Sequence, residues 1–286
     1  MRTFKRKRSN KEYYYLQQSF RENGKIITKE KYLGAEIPIN IEEIKKNFLI
    51  EARQYIYSKL ERIKNKFQLE WAKVPPSARA KELEEIAIAF TYNTNAIEGS
   101  TITLEETREI VHDKISPRKS MRDVRETEAH AKVFLEMISA KEEMTKELLL
   151  KWHQRIFGET KPDISGRFRD YSVSVGSYRA IDWQDLEIAM NELIAFIEKN
   201  SADKMNAVEL CARMHYKFEK IHPFGDGNGR IGRLLISYIL WHAGYPMLII
   251  EKKRRRSYYK ALQKDEEKFV NYFIRRFLTV HKKRYL

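Results

Sequence analysis

Apolar positions recur three and four residues apart over most of this chain, the spacing of helices that bury one face. The pattern runs from Ile41 to Lys73 and stops near Pro75-Pro76. It resumes from Ala78 to about Asn95, with Leu83, Ile86, Ile88 and Phe90 as the expected packing positions. Glu98-Gly99 closes this helix, because glycine accepts the left-handed backbone that commonly follows a helical end. Thr103, with Glu106 three residues on, has the form of a capping box. Further helices are predicted at about 123–140, 145–157, 183–199, 204–220, 229–243, 256–264 and 266–280.

Two stretches depart from this rhythm. Tyr13 to Leu16 and Lys25 to Thr28 flank Asn23-Gly24, a turn signal that predicts a β-hairpin. Tyr171 to Val175 alternates in strand fashion before Gly176, which predicts a second, shorter hairpin. The expected fold is therefore mainly all-α.

Composition narrows the picture only a little. With 286 residues, 42% hydrophobic and 33% charged, the chain suits one large domain or a core with a small extension. No apolar run approaches the ~20 residues of a membrane span, so no membrane association is expected. Cys211 is the only cysteine, which excludes a disulfide framework and a cysteine-based zinc site. A cytoplasmic location is the expectation. The net charge of +15 suits anionic partners, although a charge-dense surface accounts for most of the lysines. The run Lys252 to Arg256 is expected to be a solvated face or part of an anion-attracting field, so no nucleic acid is expected as a partner. His153 and His215, beside Trp152 and Phe218, are expected to be structural, and His112, His130, His242 and His281 lack metal-ligand spacing.

The chemistry concentrates in His222-Pro223-Phe224-Gly225-Asp226-Gly227-Asn228-Gly229-Arg230-Ile231-Gly232-Arg233. Pro223 disfavours helical geometry in the residue before it and so ends the preceding helix. Gly225, Gly227 and Gly229 leave room for an anion to approach the backbone. The next helix opens at about Gly229, directing its free N–H groups and its dipole into the loop. Asp226 is a hard oxygen ligand suited to Mg²⁺, and His222 titrates near neutrality as a general base should. Base, metal ligand, amide cradle and two arginines are the parts that phosphoryl or nucleotidyl transfer requires.

This segment resembles the Fic signature HxFx(D/E)GNGRxxR at every specified position, and the similarity extends over roughly Thr91 to Tyr272. The resemblance implies a Fic helical bundle with a hairpin flap, and a protein adenylyltransferase that moves AMP from Mg-ATP to hydroxyl side chains of target proteins or of itself. It implies that His222 deprotonates the hydroxyl, Phe224 anchors the loop and Asp226 holds Mg²⁺. Gly225, Gly227, Asn228 and Gly229 would cradle the phosphates, with Arg230 and Arg233 on the outer ones. Thr94-Asn95-Ala96-Ile97-Glu98-Gly99 is similar to the family's inhibitory pattern (S/T)xxxE(G/N), which implies that Glu98 pairs with Arg233 in place of the γ-phosphate. Val173, Ser174, Val175, Gly176 and Tyr178 correspond to the flap that aligns the target, after the family-like run Gly166 to Arg169. Tyr259 lies in the helix that relatives place near adenine, though Asp265 and Glu266 stand where relatives often carry an asparagine.

On this basis residues 1–75 are expected to form an N-terminal extension of hairpin plus helix and 76–100 the inhibitory segment. Residues 101–250 would be the catalytic core and 251–286 helices packed on it. A homodimer is compatible with the resemblance. Two other readings stay open: removal of AMP by the same site, and a basic nucleic-acid-binding protein with a vestigial Fic site.

Overall fold

The computed structural model describes residues 1–8, 11–22, 25–176, 178–201 and 205–286. They fall into two compact units, Met1–Arg62 and Ile63–Leu286. The division lies within helix α1 (Ile41–Lys73), earlier than the boundary at residue 75 that proline placement suggested.

In the first unit, strands β1 (Arg2–Arg8), β2 (Lys11–Glu22) and β3 (Lys25–Gly34) form an antiparallel sheet in that order. The expected pairing of β2 with β3 is present, with Ser19 opposite Thr28, and its Asn23-Gly24 turn lies outside the described residues. The expected hairpin is thus a three-stranded sheet, because β1 was missed. Its only large apolar side chain is Phe4, whose ring lies 5.6 Å from that of its partner Tyr15. A strand this rich in lysine and arginine resembles a basic tail, yet charge is what a sheet edge carries to discourage further pairing. Leu16 is fully buried on β2, Phe48 and Ala52 are buried on α1, and Lys31 pairs with Glu51 between β3 and α1.

The second unit is helical: α2 (Pro76–Ile97), α3 (Leu104–Arg108), α4 (Met121–Ser139), α5 (Lys146–Phe157), α6 (Leu186–Asn200), α7 (Ala207–Ile221), α8 (Asn228–His242), α9 (Arg255–Leu262) and α10 (Glu266–Tyr285). Between α5 and α6 lies a two-residue hairpin, β4 (Ser174–Val175) with β5 (Tyr178–Arg179). Helix α8 is buried on almost every face, as an apolar central helix should be. It packs against α7, which in turn receives α6 and α10, while α4 rests on α2 and α5. The last turns of α1 join this unit through Phe67 and Trp71, which meet Trp241 of α8. The predicted capping box of α3 is formed, with Thr103 and Glu106 exchanging hydrogen bonds of 2.8 and 3.1 Å. Among the described residues no helix is long and apolar enough to cross a membrane.

Candidate active site

The site is the junction of α7 and α8. Helix α7 ends at His222, whose φ of 52° places a non-glycine residue in the left-handed region. Such a residue costs of order 1–3 kcal/mol and persists where its surroundings over-determine it. The surroundings here are Arg169, a buried side chain that donates to the carbonyls of His222 (2.9 Å), Tyr171 (2.7 Å) and Ile181 (2.5 Å). The backbone N–H of Arg169 also reaches the Pro223 carbonyl at 2.9 Å. A guanidinium at a helix C-terminus meets the negative end of the dipole, so Arg169 both seals α7 and ties the segments flanking the flap to it.

Beyond His222 the loop is fixed by its own side chains. Phe224 is fully buried, and His153 stacks on it with ring centroids 4.0 Å apart. The Gly166 N–H donates to His153 Nδ1 at 3.0 Å, so Nε2 carries the proton and donates to the Asp226 carbonyl at 3.0 Å. Burial lowers the His153 pKa to about 4, which keeps this neutral tautomer in place. Asn228 uses both ends of its amide on the Phe224 backbone, at 2.9 and 2.8 Å. Its side chain therefore shapes the loop, and what it offers an anion is its backbone N–H.

Gly227 opens α8 with φ 79°, and a Cβ there would strike the Phe157 ring. Among the described residues no side chain caps this helix start, whereas Thr145 caps α5 and Asn206 caps α7. The first amides of α8 therefore face the site as an anion nest. The Glu98 carboxylate already stands there, since a Cβ on Gly229 would collide with Glu98 Oε1. Gly225 faces the Tyr171 hydroxyl, which leaves no space for a side chain.

The arginines divide the work. Arg233 is almost fully buried and donates to Thr94 Oγ1 at 2.6 Å, to the Thr94 carbonyl at 3.2 Å and to Glu98 Oε1 at 2.6 Å. Burial alone would lower its pKa, and the Glu98 charge more than reverses this. Tyr259 points its hydroxyl at the other Glu98 oxygen, 3.5 Å away, and burial then Glu98 push its pKa up to about 12. Arg230 lies over the Phe157 ring at 4.3 Å and pairs with Glu126 of α4. Burial drives the Glu126 pKa up, but Arg230, Lys161 and Thr160 outweigh that and hold it at about 2. Lys161 bridges Glu126 and Asp226 at 3.1 and 2.7 Å. Burial is the largest single influence on the Asp226 pKa and raises it, but Lys161, Arg230 and the Gly227 N–H together outweigh it, so the net shift is downward. Glu98, Glu126, Lys161, Asp226 and Arg230 all line one cavity of about 360 Å³.

Of the flap residues, Ser174 and Val175 form β4, Val173 accepts a bond from Ala180 at 3.1 Å, and Gly176 turns with φ 61°. Tyr178 turns back onto α7, donating to the Glu219 carbonyl at 2.7 Å, so its side chain anchors the hairpin. Sequence reasoning missed Glu126, Lys161 and Glu219 and did not connect His153 or Arg169 to the loop. Glu126 had a signal: it shares the buried side of α4 with Thr127, His130 and Phe134, an odd place for a lone carboxylate. Glu219 is buried, and burial pushes its pKa up to about 7.

Residues 143–240 match the Fic/DOC family profile. A protein adenylyltransferase Fic from Nematostella vectensis is 36% identical over 205 residues, 70% of this chain and 48% of that protein. The chain spans less than half the length of the curated relatives it matches. Among solved structures, Fic-1 (residues 134–508) of C. elegans has a TM-score of 0.68 at 25% identity, covering 86% of this chain and 76% of that one. A Fic-domain signalling protein from Bacteroides thetaiotaomicron has a TM-score of 0.65 at 26% identity, covering 80% and 95%. The stretch that carries His222, the glycine-lined loop and most of α8 is a Fic domain.

Proposed function

We propose that this chain transfers AMP from Mg-ATP to hydroxyl side chains of proteins and that Glu98 restrains it. The observation that carries the reading is the Glu98 carboxylate, which bonds Arg233 at 2.6 Å and rests against Gly229, within the anion nest that follows His222. A nest already holding one anion is built to hold another, and the similarity to proteins named adenylyltransferases supports ATP as that anion's source.

With Glu98 displaced, Arg233, Arg230 and the α8 amides would hold the phosphate chain. Tyr259, freed from Glu98, would border the nucleoside side. The Asp226 side chain is half exposed, and each of its oxygens has one protein donor, which leaves lone pairs for a cation. No cluster of three or more His, Cys, Asp or Glu ligands occurs among the described residues, so Asp226 fits an ion such as Mg²⁺ that completes its shell with phosphates and water. That ion would neutralise charge on the phosphates. His222 would take the proton of the target hydroxyl as its oxygen bonds the α-phosphorus. The bond from that phosphorus to the bridging oxygen breaks, and pyrophosphate leaves. The short strand β4 would hold the target segment by main-chain pairing.

The deciding experiment uses ATP labelled in either the α- or the γ-phosphate. The α-label is expected to appear on protein and the γ-label in released pyrophosphate; γ-label on protein would mean phosphoryl transfer and overturn the reading. The pH profile is a further check. Burial lowers the His222 pKa below its ordinary 6.5, the Glu219 carbonyl opposes this and Arg169 adds to it. A base must be unprotonated to act, so transfer should rise as pH climbs through a midpoint below 6.5 and then level off. A midpoint above 6.5 in initial rates would contradict the assignment of His222.

A further inference from the structure

Lys161 has a geometry that surface lysines lack. It follows α5 closely, and its N–H bonds the Phe157 carbonyl at 2.7 Å. Its stem crosses the Phe157 ring, with Nζ 4.7 Å from the centroid, and the residue is only 8% exposed. An exposed lysine samples many positions and its ion pairs contribute little. Here the packed stem holds the ammonium in one place, 2.7 Å from Asp226 Oδ2 and 3.1 Å from Glu126 Oε1. Glu126 is also engaged by Arg230, Arg122 and Thr160, so it cannot follow Asp226 if that side chain moves. Lys161 therefore places a fixed positive charge on the wall of the cavity that also holds Glu98, Asp226 and Arg230.

We propose that Lys161 is a tethered counter-cation for the phosphates of the nucleotide, which lets ATP bind with little help from a divalent ion. The inference rests on the AMP-transfer reading. A divalent ion approaching Asp226 meets a positive charge already seated on its ligand, so the gain from adding metal is small. Phosphates approaching the same place meet a neutralised carboxylate. Without the ammonium, Asp226 faces the phosphates bare; metal-free ATP is repelled and a bound cation becomes essential. Lys161 thus sets the coupling between metal and nucleotide, and by linkage each alters the other's affinity equally.

The test is calorimetric titration of ATP into the Glu98→Gly protein, in magnesium and in excess chelator, repeated with Lys161→Met and Lys161→Arg added. Chelation should weaken ATP binding only a few-fold in the parent, and by about tenfold more than that in Lys161→Met, a difference of about 1.4 kcal/mol. Lys161→Arg, which keeps the charge, should behave as the parent does. A merely structural role would weaken binding alike with and without metal. Equal metal dependence in parent and Lys161→Met would overturn the inference, as would an arginine variant that behaves like methionine. A parent that binds no ATP even with magnesium would instead bring down the AMP-transfer reading on which the inference stands.

Discussion

Glu98→Gly is expected to raise AMP transfer about 10- to 100-fold over the unaltered chain. The carboxylate makes a charge-assisted hydrogen bond of 2.6 Å to Arg233 and receives the Tyr259 hydroxyl at 3.5 Å. Bonds to charged groups contribute about 1.5–3 kcal/mol each, which corresponds to that range in apparent affinity for a competing phosphate. Glycine suits the position, since Glu98 is the C-cap of α2, where a side chain adds nothing to the helix. The cavity grows while the Thr94–Arg233 bonds remain, so the arginine stays aimed into the nest. The measurement is incorporation of α-labelled phosphate at equal protein and saturating magnesium. A rate within twofold of the unaltered chain would show that the Glu98–Arg233 pair is no brake.

His222→Asn, built on Glu98→Gly, should lower transfer by a factor of about 10² to 10⁴, the usual contribution of a positioned proton acceptor. Asparagine is the informative replacement. The φ of 52° strains most side chains, whereas asparagine tolerates the left-handed region and preserves the end of α7. The amide cannot take up the hydroxyl proton. ATP affinity should stay within a few-fold of the parent, because Arg230, Arg233 and the α8 amides hold the phosphates on this reading. Transfer by the asparagine variant at the parent's rate would remove His222 from the chemistry.

What the sequence made legible follows from distance along the chain. The loop from His222 to Arg233 is contiguous, and the helix breaks on either side are local backbone effects of proline and glycine, so its shape could be inferred. The helices appeared with ends close to those observed, because a buried face imposes its period wherever it packs. Their partners did not. Glu126 comes from α4, Lys161 from the turn after α5 and Arg169 from the loop before the flap, and periodicity says which face is buried without saying against what. His153 was read as structural, which it is, but its two hydrogen bonds brace the loop, and only the tertiary contact reveals that. Asn228 shows the converse: its place in the motif suggested a phosphate contact, while the folded loop spends its amide on Phe224.

The end of α2 is pinned from two sides, and this fixes the character of the restraint. Arg255 donates to the Ile97 carbonyl at 2.6 Å, the Lys252 N–H reaches Asn93 at 2.9 Å, and Arg233 holds Thr94. Withdrawing the helix would break all of these, whereas the Glu98 side chain, 32% exposed, needs only to rotate. Exposed side chains change rotamer within picoseconds to nanoseconds, far faster than any turnover. On the proposed function, occupancy of the nest is then a rapid contest between a leashed carboxylate at fixed local concentration and nucleotide free in solution. Output would follow the ATP level continuously, without hysteresis and without memory of earlier exposure.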